Sequence, residues 1–225
     1  MNLLIKYPTK DRPEKFKQTL RKYLECIEHD SVRIVVTINK EDEASRAALL
    51  EVVLNSKVPE GCRIFSDQVD IKSKVEAVNH GVKELSDWFD IVCVISDDMI
   101  PTKGFDKVIV ERMKKHYPEG DGALFFNDGY TKDRLCTLPV MGKKYFNRFG
   151  YVYHPDYVSL FCDDEFTQVG KLLNRMIYIN EVIIKHEHYF NNKSVKEDQL
   201  YKFNNSFYPA DKVIFNKRKR TNFDL

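Results

Sequence analysis

The stretch Val92–Pro101, VCVISDDMIP, sets four apolar residues directly before Ser96, Asp97 and Asp98. A short β-branched apolar run of this kind reads as a buried strand, here over Asp90–Ile95. Two adjacent carboxylates at its end repel one another, and a buried strand end is a costly place to keep them. A polar turn would account for them, and so would a bound divalent cation.

The neighbouring segments decide between an arbitrary loop and a site. Upstream, Leu3–Tyr7 is a short apolar run broken by PTKDRP, then a helical pattern with Phe16, Leu20, Tyr23, Leu24 and Ile27 on one face. Asp11 is placed to cap that helix, and Pro13 suits its first turn. Val32–Ile38 reads as a buried strand, followed by the acidic NKEDE and a helix over Ala44–Asn55. Arg63–Phe65 reads as a short strand, Lys74–Leu85 as a helix and Phe105–His116 as another. Such alternation implies βαβ units and an α/β fold with a mostly parallel central sheet flanked by helices. Ligands bind such sheets beyond the carboxyl ends of the strands. YPTKDRP, NKEDE and SDDM then fall on one rim, which makes Asp97 and Asp98 part of a probable site.

After Gly120 the pattern changes. GALFFND predicts a strand, and the aromatic, turn-rich segment that follows predicts irregular structure. A helix over Glu165–Asn174 follows FCDD, MIYI and EVIIKHEHYF read as strands, and Val195–Phe203 as a last helix. No repeat, linker or low-complexity segment divides the chain.

Composition narrows the function classes. The net charge of +2 gives no overall drive toward nucleic acid or membrane, although Asn216–Arg220, NKRKR, reads as a solvated basic tail able to meet phosphates. Five widely spaced cysteines without a CxxC pair fit reduced thiols. No secretory leader or membrane span is visible, so a cytoplasmic protein is expected. No glycine-rich phosphate loop is present.

In order and spacing, several segments resemble the nucleotide-sugar glycosyltransferases of GT-A fold, family-two-like, in their short bacterial and phage members. IKYPTKDRPEKF looks like their first strand and nucleotide-contacting loop, and KSKVEAVNHG like the segment on the helix before the acidic motif. VISDDMIP looks like the DxD-type motif, CDDEF like the acid-bearing helix start, and IKHEHYF like the late histidine segment. The chain departs from the pattern in having Ser96 where many members have aspartate, and DD where ED is common. It lacks a QxxRW acceptor motif, which argues against processive polymer synthesis.

The resemblance implies one GT-A-like domain over 1–225: a nucleotide-sugar half at 1–120, an acceptor and catalytic half at 121–210, and a basic tail at 211–225. It implies transfer of a sugar from a UDP-sugar to a hydroxyl, in a bacterial or phage-infected host cytoplasm, with DNA carrying hydroxymethylated bases or a glycan as acceptor. Mn²⁺ or Mg²⁺ would neutralise the departing diphosphate, and such an ion needs few protein ligands because phosphate and water complete its shell. Asp98 is the expected metal ligand, with His186 or His188 as the late one. The two histidines share a face in an extended segment, and their H-x-H spacing excludes a helical HExxH zinc site. Asp97 is expected to bond a ribose or sugar hydroxyl. Of the acids opening the CDDEF helix, one would suffice as a cap, so Asp164, or next Asp163, is the candidate general base. For the nucleotide, Tyr7 is the candidate base-stacking ring, with Pro8 and Thr9 shaping the loop. Arg12 and Lys74 are candidate phosphate contacts, Lys72 is a weaker one, and Asn39 or Asp42 would read the uracil edge. The aromatics of 127–157 suit either ring stacking or a satellite core. Rival readings are a metal-dependent nucleotidyl or phosphoryl transferase and a non-enzymatic nucleic-acid-binding protein.

Overall fold

The computed structural model describes all residues, Met1–Leu225. The expected alternation is present: β1 (Leu3–Thr9), α1 (Pro13–Cys26), β2 (Val32–Asn39), α2 (Glu43–Asn55), β3 (Cys62–Val69), α3 (Lys74–Asn79) and β4 (Ile91–Val94). The second half adds β5 (Met99–Pro101), α4 (Phe105–His116), β6 (Ala123–Phe126), β7 (Val140–Gly142), α5 (Lys143–Asn147) and α6 (Cys162–Leu172). It closes with β8 (Met176–Ile179), β9 (Ile184–His186), α7 (Gln199–Asn205) and α8 (Tyr208–Arg220).

Seven strands form one sheet in the order β3-β2-β1-β4-β7-β6-β8, parallel except for β7, which runs antiparallel between β4 and β6. β5 and β9 pair antiparallel as a separate two-stranded sheet, with Met99 opposite His186. That pairing fastens the segment after Asp98 to the late histidine segment.

Two cores cover the two faces. Leu3, Ile5 and Tyr7 of β1 point into the core shared with α1, α2 and α4, whereas Leu4 points into the other. The second core gathers the aromatics of the middle segment, including Tyr145, Phe146, Tyr153 and Tyr157. The satellite-core reading therefore holds for Tyr145, Phe146 and Tyr157.

Several boundaries differ from expectation for local reasons. Asp11 takes a left-handed conformation (φ 53°) and does not cap α1; Arg12 holds the cap position before Pro13. α3 ends at Asn79, where Gly81 adopts φ 71° and turns the chain. α6 begins at Cys162, so Asp163 and Asp164 lie inside its first turn. The basic tail is mostly helical: Asn216–Arg220 is the last part of α8. No helix is long and apolar enough to cross a membrane.

Candidate active site

The carboxyl ends of β1, β2 and β4 open onto one cavity of about 380 Å³. Pro8, Thr9 and Arg12 come from the first loop, Asn39 from the end of β2, and Ser96, Asp97 and Asp98 from the end of β4. The apolar run of β4 places the two aspartates at the floor, where Asp97 is 3% and Asp98 4% exposed.

Their environments push the two carboxyls apart. Burial raises Asp97 to about 7, the neighbouring Asp98 charge adds to this, and Arg12 opposes it. Thr9 Oγ1 donates to Asp97 Oδ2 at 3.1 Å, and Asp97 Oδ1 has no partner. Asp98 is also pushed upward by burial, but the His186 ring beside it and hydrogen bonds from Ser96 and Tyr201 hold it well below the usual range. Ser96 Oγ donates to Asp98 Oδ1 at 2.5 Å, and Tyr201 Oη donates to Oδ2 at 2.6 Å. The residue that departs from the DxD-type pattern thus orients the carboxylate two positions on.

The second half of the chain closes over this floor. His186, at the end of β9, puts Nε2 at 3.5 Å from Asp98 Oδ1, while its Nδ1 is buried without a partner. The strand ends there, and His188 N donates back to the His186 carbonyl at 2.8 Å. The two histidines therefore do not project from one extended strand, although their rings lie 5.5 Å apart and both line the cavity. Burial lowers His188 to about 4, and its ring packs against Tyr201 and Tyr189. Only His186 meets Asp98.

No group of three His, Cys, Asp or Glu residues forms a closed metal cage. The Asp98 oxygen and the His186 nitrogen are nevertheless an oxygen–nitrogen donor pair on one wall. That suits an ion that draws its remaining ligands from phosphate and water, such as Mn²⁺ or Mg²⁺.

α7 supplies the residues that sequence reasoning missed. Arg12 donates from Nη2 to Asp198 Oδ1 at 2.7 Å and lies 4.0 Å over the Tyr201 ring. Nothing in the local sequence marks Tyr201, because its partners are distant in the chain. Across the cavity, Asp163 and the exposed Lys74 line the wall, with Lys72 beside them. Asp164 does not line it. Burial and the Asp163 charge raise Asp164 to about 6. Proton affinity thus favours Asp164 and placement favours Asp163. Asp163 is therefore the acid of this helix that can meet a ligand in the cavity.

Two nucleotide-site expectations, Tyr7 and Asp42, are corrected. Tyr7 is fully buried and packs edge-on against Phe16 at 5.1 Å, so its ring cannot stack on a base. Asp42 is the cap of α2, accepting from Ser45 N at 2.9 Å and from Asp11 N at 2.7 Å, and lies outside the cavity. Asn39 lines the cavity, but its amide is engaged by the Ile71 carbonyl at 2.9 Å and the Glu41 N–H at 3.1 Å. One amide N–H and one oxygen lone pair of Asn39 are left for a ligand.

The fold is that of GT-A-type glycosyltransferases. Three solved structures carry that statement. The chain is similar to the crystal structure of S. aureus TarS, with TM-score 0.61 and 10% identity over 84% of this chain and 37% of that one. It is similar to TarS 1-349 in complex with UDP, with TM-score 0.62 and 11% identity over 82% of this chain and 60% of that one. The mannosyltransferase PcManGT from Pyrobaculum calidifontis, in complex with GDP-Man and Mn2+, matches with TM-score 0.62 and 14% identity over 83% of this chain and 56% of that one. The chain therefore spans less than two thirds of each. No family model and no curated protein matches the sequence.

Proposed function

We propose that this chain transfers a sugar from a UDP-sugar to an acceptor hydroxyl with the help of Mn²⁺ or Mg²⁺. The observation that carries the reading is the meeting of Asp98 and His186 on the cavity floor, at the carboxyl edge of the sheet. Support for a nucleotide-sugar donor comes from the fold neighbours, one in complex with UDP and one with GDP-Man and Mn2+.

Asp98 and His186 would hold the ion, which when bound supplies charge neutralisation for the diphosphate leaving group. Asp97, through its unpartnered Oδ1, accepts a hydrogen bond from a ribose or sugar hydroxyl. Arg12 and Lys74, both lining the cavity, bring positive charge to the phosphates. Asp163 takes the proton of the acceptor hydroxyl as its oxygen bonds to the anomeric carbon, and the bond to the diphosphate breaks with its electron pair leaving to phosphate. Arg134 adds a further positive charge to the cavity wall, which suits an acceptor carrying phosphates. A hydroxymethylated base in DNA fits that description better than a neutral glycan.

The test is incubation with labelled UDP-sugars and either hydroxymethylated or plain DNA. Label transfer to the hydroxymethylated DNA alone is expected. No release of UDP from any UDP-sugar, with or without acceptor, would contradict the reading.

A further inference from the structure

α8 buries three residues, Asp211, Phe215 and Arg218, spaced i, i+4 and i+7 along one stripe. An acid, an aromatic and a base make an unusual buried stripe, and each grips the same turn of chain. The fully buried Asp211 carboxylate accepts three consecutive backbone N–H groups: Val158 at 2.9 Å, Ser159 at 2.9 Å and Leu160 at 2.7 Å. Phe215 stacks on Phe161 with centroids 5.4 Å apart. Arg218 forks onto Glu165, Nε to Oε2 at 2.8 Å and Nη2 to Oε1 at 2.9 Å, and Tyr157 donates to the same carboxylate at 2.8 Å.

Residues 158–165 contain the turn that starts α6 and presents Asp163 to the cavity. Ser159 and Leu160 are themselves cavity wall. Phe161 has φ 61°, a left-handed conformation that a bulky residue adopts only when its surroundings enforce it. The grip extends to α3 on the same wall, because the Val158 carbonyl accepts from Val75 N in the first turn of α3, next to Lys74.

We propose that Asp211 and Arg218 are positioning residues for the reaction: α8 is a clasp that holds the turn 158–165 in the one conformation that aims Asp163 at the acceptor. This rests on the base reading given above. It also assigns Glu165, the third acid of the CDDE run, to the clasp and not to the chemistry. A fork of guanidinium on carboxylate fixes direction as well as distance, and three amides on one carboxylate fix three peptide planes.

The experiment uses the full chain with Asp211→Asn, Arg218→Lys and Arg218→Ala, assayed as UDP release from UDP-glucose, UDP-galactose and UDP-N-acetylglucosamine well below each variant's melting temperature. Expected are a kcat lowered tenfold or more, a donor KM within twofold, a shifted acidic limb of the pH–rate profile, and partial recovery of Arg218→Ala by added guanidinium. Amide hydrogen exchange over 158–165 should accelerate at least tenfold, with β1 and β2 unchanged. Unaltered kcat and pH profile, or unaltered exchange over 158–165, would overturn the clasp. If Asp163→Asn keeps full turnover, the base reading fails separately, and exchange still decides whether α8 holds the turn.

Discussion

Tyr201 and Asp98, 103 residues apart in the chain, share a hydrogen bond of 2.6 Å. It joins α7 to the floor of the cavity and stabilises the ionised form of a carboxylate that burial would otherwise neutralise. Hydrogen bonds to charged groups contribute about 1.5–3 kcal/mol. Tyr201→Phe should therefore lose stability in that range at neutral pH, read as a lowered urea midpoint with an unchanged m-value. An unchanged midpoint would mean that the bond is not formed in solution.

Arg12 tests the other half of that contact. It pairs with Asp198, whose side chain is 40% exposed, so the pair itself is worth no more than about 1 kcal/mol. The larger effect of Arg12→Ala should fall on UDP binding, weakening it about tenfold, or about 1.4 kcal/mol. Arg12→Lys should not recover it, because an ammonium neither forks nor lies flat on the Tyr201 ring. Titration calorimetry with UDP measures both variants.

The Asp97 carboxyl has a definite sign in the pH dependence of stability. Burial raises it from 3.8 in the unfolded chain to about 7. Between those values the folded chain keeps a proton that the unfolded chain has released. Stability from this group is complete at the acid end and is lost as pH rises toward about 7. His188, lowered from 6.5 to about 4, works oppositely: its contribution is complete above 6.5 and is lost as pH falls. Asp97→Asn should therefore gain on the unsubstituted chain as pH is raised from about 5 to about 7.5, by differential melting temperature. A constant difference across that range would exclude the raised Asp97 value.

The sheet was legible because its interior strands β2 and β4 are largely apolar runs, and the rim followed from the carboxyl ends of the strands. What misled was treating a residue's chemistry apart from its alternation. Tyr7 shares parity with Leu3 and Ile5, so its ring had to follow them into the core. Asp42 sits one residue before α2, where capping outcompetes display to a ligand. β7 escaped notice because three residues in a turn-rich segment carry no period. α8 escaped for a deeper reason: a helix that buries aspartate, phenylalanine and arginine shows no apolar stripe, so it reads as a charged tail. The Tyr201–Asp98 and Arg218–Glu165 contacts are long-range pairings of polar groups, which no local pattern announces.

In the proposed reaction Asp98 and His186 together would hold the ion that carries the donor diphosphate. Calorimetric titration of UDP into the protein, in Mn²⁺ and then in excess EDTA, tests it most directly. UDP binding in Mn²⁺ should weaken at least tenfold in EDTA, and equally for Asp98→Asn and for His186→Ala even with Mn²⁺ present. UDP affinity that is the same in EDTA, or that survives both substitutions, would contradict it.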